Sequence, residues 1–217
     1  MLFFYQNGKV KLVLMVADTY LTIAHPSEGL YKEKGSRFIS FAFPVQNEEA
    51  IKEILASIRK EHFSARHCCF AWNLGVEQQR FRINDDGEPQ GTAGRPIYGQ
   101  IQSNKLTNVI VVVVRYFGGT LLGVSGLIRA YKQAAVDAIA NATVVTRVVE
   151  HIVEVAFAYP AMNNLMQLIK EEQLEIVTSN YDLQCSVSLK IRVSRLEEIE
   201  TKIRNTEGVR DCKIRVE

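Results

Sequence analysis

Hydrophobic and polar positions in this chain switch repeatedly between an alternation suited to strands and a three-and-four spacing suited to helices. Residues 19–23, 30–34 and 37–44 read as short strands, separated by His-Pro-Ser-Glu-Gly and by Gly35. Asn47 stands where it can cap a helix whose Ile51, Ile54, Leu55 and Ile58 fall on one face. Residues 66–73 and 79–83 read as the next strands, and Asp85-Asp86-Gly87-Glu88-Pro89 has the composition of a turn. A short helix is expected from Thr92 or Ala93 to Gln102. Residues 109–114 then form an unbroken β-branched run, which predicts a strand covered on both faces. Arg115, Tyr116 and Phe117 end it, and Gly118, Gly119, Gly123 and Gly126 follow. Leu127, Tyr131, Ala134, Ala135 and Ala138 recur at helical spacing, so a helix should run from the glycines to about Ala142.

Near Val148 the pattern restarts in the order β-α-β-β-α-β. A strand over 149–157 leads to Pro160, which suits a first helical turn, and Met162, Leu165, Met166 and Ile169 supply the apolar stripe. Residues 174–181 turn through Asp182 into Cys185, Val187, Leu189, Ile191 and Val193, which alternate. Ser194-x-x-Glu197 has the form of a capping box for a helix with Leu196, Ile199 and Ile203 inside and Gly208 at its end. Cys212, Ile214 and Val216 close a final strand. This is the split βαβ, ferredoxin-like order. The expected organisation is residues 15–146 and 147–217, with 1–14 as an extension outside the fold. That extension has apolar pieces too short and too poor in basic residues for a signal peptide, and it suits strand pairing badly. The expectation is either a start codon placed too early or a poorly anchored extension, with the protein proper beginning near Met15.

Composition adds little to this picture. With 217 residues, 47% of them apolar, the chain can bury a substantial core, and its net charge is only +2. Residues 1–146 carry 16 Lys+Arg against 12 Asp+Glu, or +4; residues 147–217 carry 10 against 12, or −2. A polyanion would therefore have to be met by local patches. Cys68, Cys69, Cys185 and Cys212 lack C-x-x-C spacing and read as reduced core residues of a cytoplasmic protein. No apolar run approaches the roughly 18–20 residues of a membrane helix.

The candidate chemistry gathers at two places. Strand, glycine turn, helix N-terminus and Arg115 together suggest an anion pocket. It matches no nucleotide motif: Val124 stands where a Walker lysine would, and G-x-G-x-x-G is absent. The alternative is a close strand–helix packing corner. Asp85, Asp86 and Glu88 are the candidate acid/base or Mg²⁺-holding groups, set against ordinary turn chemistry. Thr92 can cap the short helix, and Gly91 and Gly94 permit a close backbone approach. His67 and Cys69 would share a strand face, which allows a Cys–His pair, although cysteines there more often pack in a core. His25, His62 and His151 show no metal spacing. On the last sheet, Ser186, Ser188, Lys190 and Arg192 fall opposite the core with Lys213 and Arg215. This basic face lacks stacking aromatics, and Glu150 and Glu154 stand ready to neutralise it.

Three stretches in this order, Lys-Gly-Ser-Arg-Phe-Ile, Asp-Asp-Gly-Glu-Pro-Gln-Gly-Thr-Ala-Gly-Arg-Pro-Ile and Arg-Tyr-Phe-Gly-Gly-Thr-Leu-Leu-Gly, resemble the IMPACT/YigZ family in its bacterial two-domain form. The resemblance spans roughly residues 15–217. It implies an α+β protein, with an N-terminal domain like the second domain of ribosomal protein S5 and a ferredoxin-like C-terminal domain like domain V of elongation factor G. Eukaryotic relatives bind a regulator of a translation-initiation-factor kinase through an additional N-terminal domain, which is not expected here. Gly35 departs from the family pattern, where a lysine is commoner, so the first stretch is less basic.

The resemblance and the residues together give the expectation of a cytoplasmic protein that contacts RNA or the ribosome and regulates translation. Lys34, Arg37, Arg115 and Arg129 would meet phosphate, and Tyr116 and Phe117 would stack. Thr92, Gly94, Gly118, Gly119 and Gly123 would shape the anion site. One alternative is an enzyme acting on a small anionic or phosphorylated substrate in the glycine-rich cleft. Another is an adaptor that binds a protein partner. No cofactor, metal or membrane is implied, and no oligomeric state is specified.

Overall fold

Strands form in this chain where the sequence alternates or is β-branched, and helices where apolar residues recur every third and fourth position. The computed structural model describes residues 2–6, 9–13, 18–76, 79–182 and 185–215. It divides into two units, Tyr20–Arg147 and Val148–Glu217, the latter taken with Met1–Thr19.

Leu2–Gln6 (β1) and Lys9–Val13 (β2) pair antiparallel as a two-stranded ribbon, which corrects the expectation that this segment suits strand pairing badly. Leu-Phe-Phe-Tyr-Gln and Lys-Val-Lys-Leu-Val are both rich in aromatic or aliphatic residues that favour an extended backbone. Among the described residues neither strand joins another sheet. Met1 and Met15, the two alternative starts, lie outside the described residues.

The first unit contains Thr19–Ile23 (β3), Ser27–Glu33 (β4), Ser36–Pro44 (β5), Glu48–Glu61 (α1), His67–Leu74 (β6), Arg80–Asn84 (β7), Gly94–Ser103 (α2), Val109–Tyr116 (β8), Gly123–Ala140 (α3) and Val144–Val148 (β9). Five strands form an antiparallel sheet in the order β4-β5-β8-β6-β7, and β3 pairs with β9 beside it. The β-branched run is the central strand. Its period of two sends Val109, Val111 and Val113 towards Ile97 and Ile101 of α2 and Leu127, Tyr131 and Ala134 of α3. Ile110, Val112 and Val114 face Ile51 and Ile58 of α1, with Phe41, Phe70 and Trp72. Each of these fully buried aliphatic side chains contributes roughly 2 kcal/mol. Asn47 caps α1 as expected, its side-chain oxygen accepting the Ala50 N–H at 2.8 Å.

Two details depart from the sequence pattern. The Ser-Glu-Gly expected to separate strands is part of β4 instead. Gly29 there faces α3 so closely that a Cβ would lie 2.6 Å from the Ala138 nitrogen. The strand β9 was not foreseen, because its side chains are largely exposed and carry no apolar alternation.

The second unit runs Glu150–Phe157 (β10), a 3₁₀ turn at Tyr159–Ala161 holding Pro160, Met162–Glu171 (α4), Glu175–Asn180 (β11), Cys185–Arg192 (β12), Leu196–Arg204 (α5) and Val209–Arg215 (β13). Its sheet order is β11-β12-β10-β13, all antiparallel, the ferredoxin-like arrangement. Val153, Val155, Phe157, Leu189 and Ile191 pack against Leu165, Ile169, Ile199 and Ile203 of the two helices. The capping box does not form: the Ser194 hydroxyl donates to Asp18 Oδ2 at 2.7 Å, and α5 begins after a 3₁₀ turn at Val193–Arg195. Val216, expected in the last strand, lies outside the described residues. The two α+β units are the architecture the sequence predicts.

Candidate functional site

The Asp85–Asp86–Gly87–Glu88 segment is a tight turn, closed by the Glu88 N–H donating to the Asp85 carbonyl at 2.9 Å. Asp86 and Gly87 both take positive φ, 42° and 84°, a conformation Asp tolerates and Gly adopts freely. Each of the three carboxylates is engaged. Asp85 accepts the N–H groups of Gly91, Ala93 and Gly94 at 2.8, 3.0 and 2.8 Å, and so caps α2 from eight residues upstream of its N-cap, Ala93. Burial acts to raise the Asp85 carboxyl, but the three donors together outweigh it and hold the group below the usual carboxylate range. Thr92, expected as the cap, instead donates its hydroxyl to the Pro89 carbonyl at 2.7 Å. Asp86 accepts the Cys68 N–H at 2.7 Å and pairs with Arg59 at 2.5 Å.

Glu88 is the buried one. Its Oε1 accepts Arg115 Nη1 and the Tyr131 hydroxyl, each at 2.7 Å, and both side chains of the ion pair are nearly sealed from solvent, at 7% and 3% exposure. The Arg115 guanidinium also lies over the rings of Phe38 and Phe117, at 5.5 and 5.7 Å. Its Nε is buried without a hydrogen-bond partner. The two glycine-bearing loops therefore meet through this ion pair.

His67 and Cys69 do not pair. His67 Nδ1 lies 2.9 Å from the Asp86 carbonyl, and the Cys69 thiol lies 3.0 Å from the Asp85 carbonyl and 3.4 Å from the Tyr131 hydroxyl. Burial pushes both the Cys69 thiol and the Tyr131 phenol up, which disfavours a thiolate nucleophile. All four cysteines are free and buried. Among the described residues no group of His, Cys, Asp and Glu could hold a metal ion, and no helix is long and apolar enough to cross a membrane.

The predicted phosphate-binding cations are dispersed. Lys34 and Gly35 form the two-residue turn between β4 and β5, with φ of 46° and 79°. Arg37 lies opposite Tyr116 in the β5–β8 register, 5.1 Å above its ring, and the Tyr116 hydroxyl contacts His62 Nδ1 at 2.9 Å. Strand alternation thus puts Arg37 and Tyr116 on the α1 face, opposite Arg115. Arg129 is exposed and paired with Glu33. In the second unit, Lys190 pairs with Glu150 and Glu175, Arg215 with Glu154, Lys213 with Asp211, and Arg192 reaches Asp18, so the basic face is neutralised within the protein.

Gly118 is a packing glycine: a Cβ there would lie 1.9 Å from the Gly35 carbonyl carbon, and its N–H donates to Ser36 Oγ at 3.2 Å. Gly94 is packed less tightly but still without room, a Cβ there lying 2.8 Å from the Asn84 nitrogen. Gly119 and Gly123 are different, with positive φ and open space where a side chain would be. Beside them lies a cleft of about 460 Å³. Glu88 and Pro89 line it from the first loop, Arg115 and Phe117 from the second, and Arg66 and His67 from the start of β6. Leu121, Leu122, Gly123, Val124 and Leu127 form its apolar wall. Of these, Phe117, Leu121 and Val124 are 50%, 83% and 60% exposed. Sequence reasoning missed the apolar wall and Arg66. The available signal was a Leu-Leu-Gly-Val stretch inside a glycine turn, where no periodic core pattern calls for large aliphatic residues.

A sheet covered by helices on both faces, joined to a ferredoxin-like unit and carrying these turns, defines a class that comparison with known proteins identifies. A family model described as the Impact N-terminal domain matches residues 34–139. The IMPACT family member YigZ of Escherichia coli (strain K12) is 30% identical over 188 residues, which cover 86% of this chain and 92% of that protein. YvyE of Bacillus subtilis (strain 168), another IMPACT family member, is 32% identical over 163 residues, 75% of each chain. A crystal structure described only as that of a hypothetical protein matches with a TM-score of 0.70 and 29% identity, covering 92% of this chain and 98% of the other. The chain belongs to the IMPACT family.

Proposed function

We propose that this chain is a binding module of translation control, and that its working surface is the cleft beside the Arg115–Glu88 pair, which receives an apolar group from a protein of the translation machinery. The observation that carries this reading is the exposure of Phe117, Leu121 and Val124 around an apolar-walled cleft. The Glu88 carboxylate there is engaged by Arg115 and Tyr131, and the candidate acid/base groups Asp85 and Asp86 are used in capping and turn-holding. The setting in translation rests on the family resemblance, since fold alone does not fix function. Contact with RNA is the second reading. It is supported by Lys34 and Arg37, exposed cations without ion pairs among the described residues, and by the +4 balance of residues 1–146.

Co-sedimentation with purified ribosomes at about 50 and 200 mM salt tests both. Apolar docking predicts binding that survives the higher salt and falls at least tenfold in the Leu121→Ser, Val124→Ser double variant. RNA contact predicts a steep loss with salt and sensitivity to Lys34→Ala with Arg37→Ala instead. Absence of sedimentation at either salt refutes the ribosome as the partner in both readings.

A further inference from the structure

We infer that the cleft and the exposed face of α3 beside it form a docking groove for an acidic amphipathic helix of a partner protein. This rests on the protein-partner reading of the same cleft and names the chemistry and conformation of what enters it. The apolar surface does not stop at the cleft wall. Leu121 stands just before α3, Val124 and Ile128 follow at intervals of three and four residues, and Ile128 is still 40% exposed. Lys132 is the next exposed residue in that row, about 12 Å beyond Val124 along the helix axis. Val124, Ile128 and Lys132 thus form one i, i+4 ridge, of the kind a second helix packs against with its own side-chain rows.

Charge selects the partner. Of the fixed charges lining the cleft, Arg115 and Glu88 cancel as an ion pair, which leaves Arg66, exposed and without an ion pair among the described residues. On α3, Arg129 is matched by Glu33, whereas exposed Lys132 has no ion pair among the described residues. The single acidic residue of α3, Asp137, accepts the Leu30 N–H. The groove is therefore apolar along its length, with one unmatched cation at the cleft and another about two turns along α3. Carboxylates on an incoming helix complement both. A second copy of this chain would set this basic rim against its own like. An added strand would find no edge to pair with. β8 lies between β5 and β6, and at the cleft end of β6 the Cys68 N–H is already taken by Asp86. A recess of about 460 Å³ also suits an inserted side chain better than the plane of a bilayer.

Selection of a displayed library of helix-biased peptides, about four turns long, on the full chain tests the inference, with counter-selection on the Leu121→Ser, Val124→Ser variant. Discriminating binders should carry apolar residues at i, i+3 or i+4, and i+7 together with a net negative charge. In calorimetry, a synthetic binder should lose at least tenfold in affinity for the Arg66→Glu, Lys132→Glu variant, and lysines in place of two of the peptide's acids should restore it. The thermal midpoint of that variant should stay within a few degrees, since both side chains are exposed. Basic binders, binders without helical spacing, no binder that discriminates against the serine variant, or indifference to the charge reversal would each overturn the inference. If the serine variant instead abolishes binding to phosphatidylserine vesicles or to single-stranded RNA, or dissociates a dimer, the surface belongs to that occupant and the inference is overturned too. Ribosome sedimentation that fails in the Leu121→Ser, Val124→Ser variant but survives Arg66→Glu with Lys132→Glu sinks the acidic-helix assignment alone. Selection of acidic helices without ribosome sedimentation sinks the ribosomal setting alone.

Discussion

At the scale of single residues, the site is organised by two carboxylates with opposite surroundings. Glu88 is buried against Arg115 and Tyr131, so removing either cation or anion leaves an unpaired buried charge. Arg115→Ala should therefore lower stability by roughly 3–5 kcal/mol in urea unfolding, with Glu88 left unmatched. A cost under about 1 kcal/mol would show that Arg115 is poised for a ligand and contributes little to the fold. Asp85 instead sits among N–H donors that lower its pKa below the ordinary 3.8. A depressed native value means that its stabilisation is complete above that pH and is lost as pH falls through the native pKa. Asp85→Ala should cost about 2 kcal/mol at neutral pH, and the difference from the parent should shrink in acid below pH 3.8. Acid titration of both proteins by circular dichroism checks this, and a pH-independent difference would contradict the capping account.

At the scale of elements, the loop after β8 is fixed by contact with the β4–β5 turn. Gly118 lies against Gly35 and Ser36 with no room for a side chain, the nearest backbone atoms being 1.9 and 2.2 Å from a Cβ. Gly118→Ala should therefore cost about 3 kcal/mol or more, or prevent folding, because the atoms met are backbone. Gly119→Ala meets open space and suffers only the strain of its φ of 86°, about 1–2 kcal/mol. Thermal melts of the two variants separate these effects. Similar losses would mean that the turn moves aside to admit a Cβ at 118.

At the scale of the whole molecule, each unit carries its own core, and charge is largely consumed internally. The basic strand face of the second unit is matched by Glu150, Glu154, Glu175, Asp18 and Asp211. Exposed pairs of this kind contribute little to stability, but they leave a surface with little net attraction for phosphate. We further propose that residues 1–14 are dispensable for both cores, since the ribbon they contain joins no other sheet among the described residues. Deleting them should leave the thermal midpoint within about 4 °C, the shift expected for a change near 1 kcal/mol in a chain of this size. A larger loss by calorimetry would make the ribbon a structural element.

Periodicity alone determined most elements of this protein. The β-branched run became the central strand, Asn47 capped its helix, and the β-α-β-β-α-β pattern gave the ferredoxin-like order. These depend on interactions a few residues apart or on burial that applies to a whole face, and both leave a regular trace in the chain. The site depended on contacts that leave none. Asp85 caps a helix that starts nine residues later, Ser194 abandons its capping box for Asp18, and Arg115 chooses Glu88 across 27 residues. Arg37, from the first family stretch, and Tyr116, next to Arg115 in the third, fall on the face opposite Arg115 once β5 and β8 are in register. Which charges were free and which apolar residues remained exposed was decided by long-range packing, because a side chain's partner depends on where the sheet places distant residues.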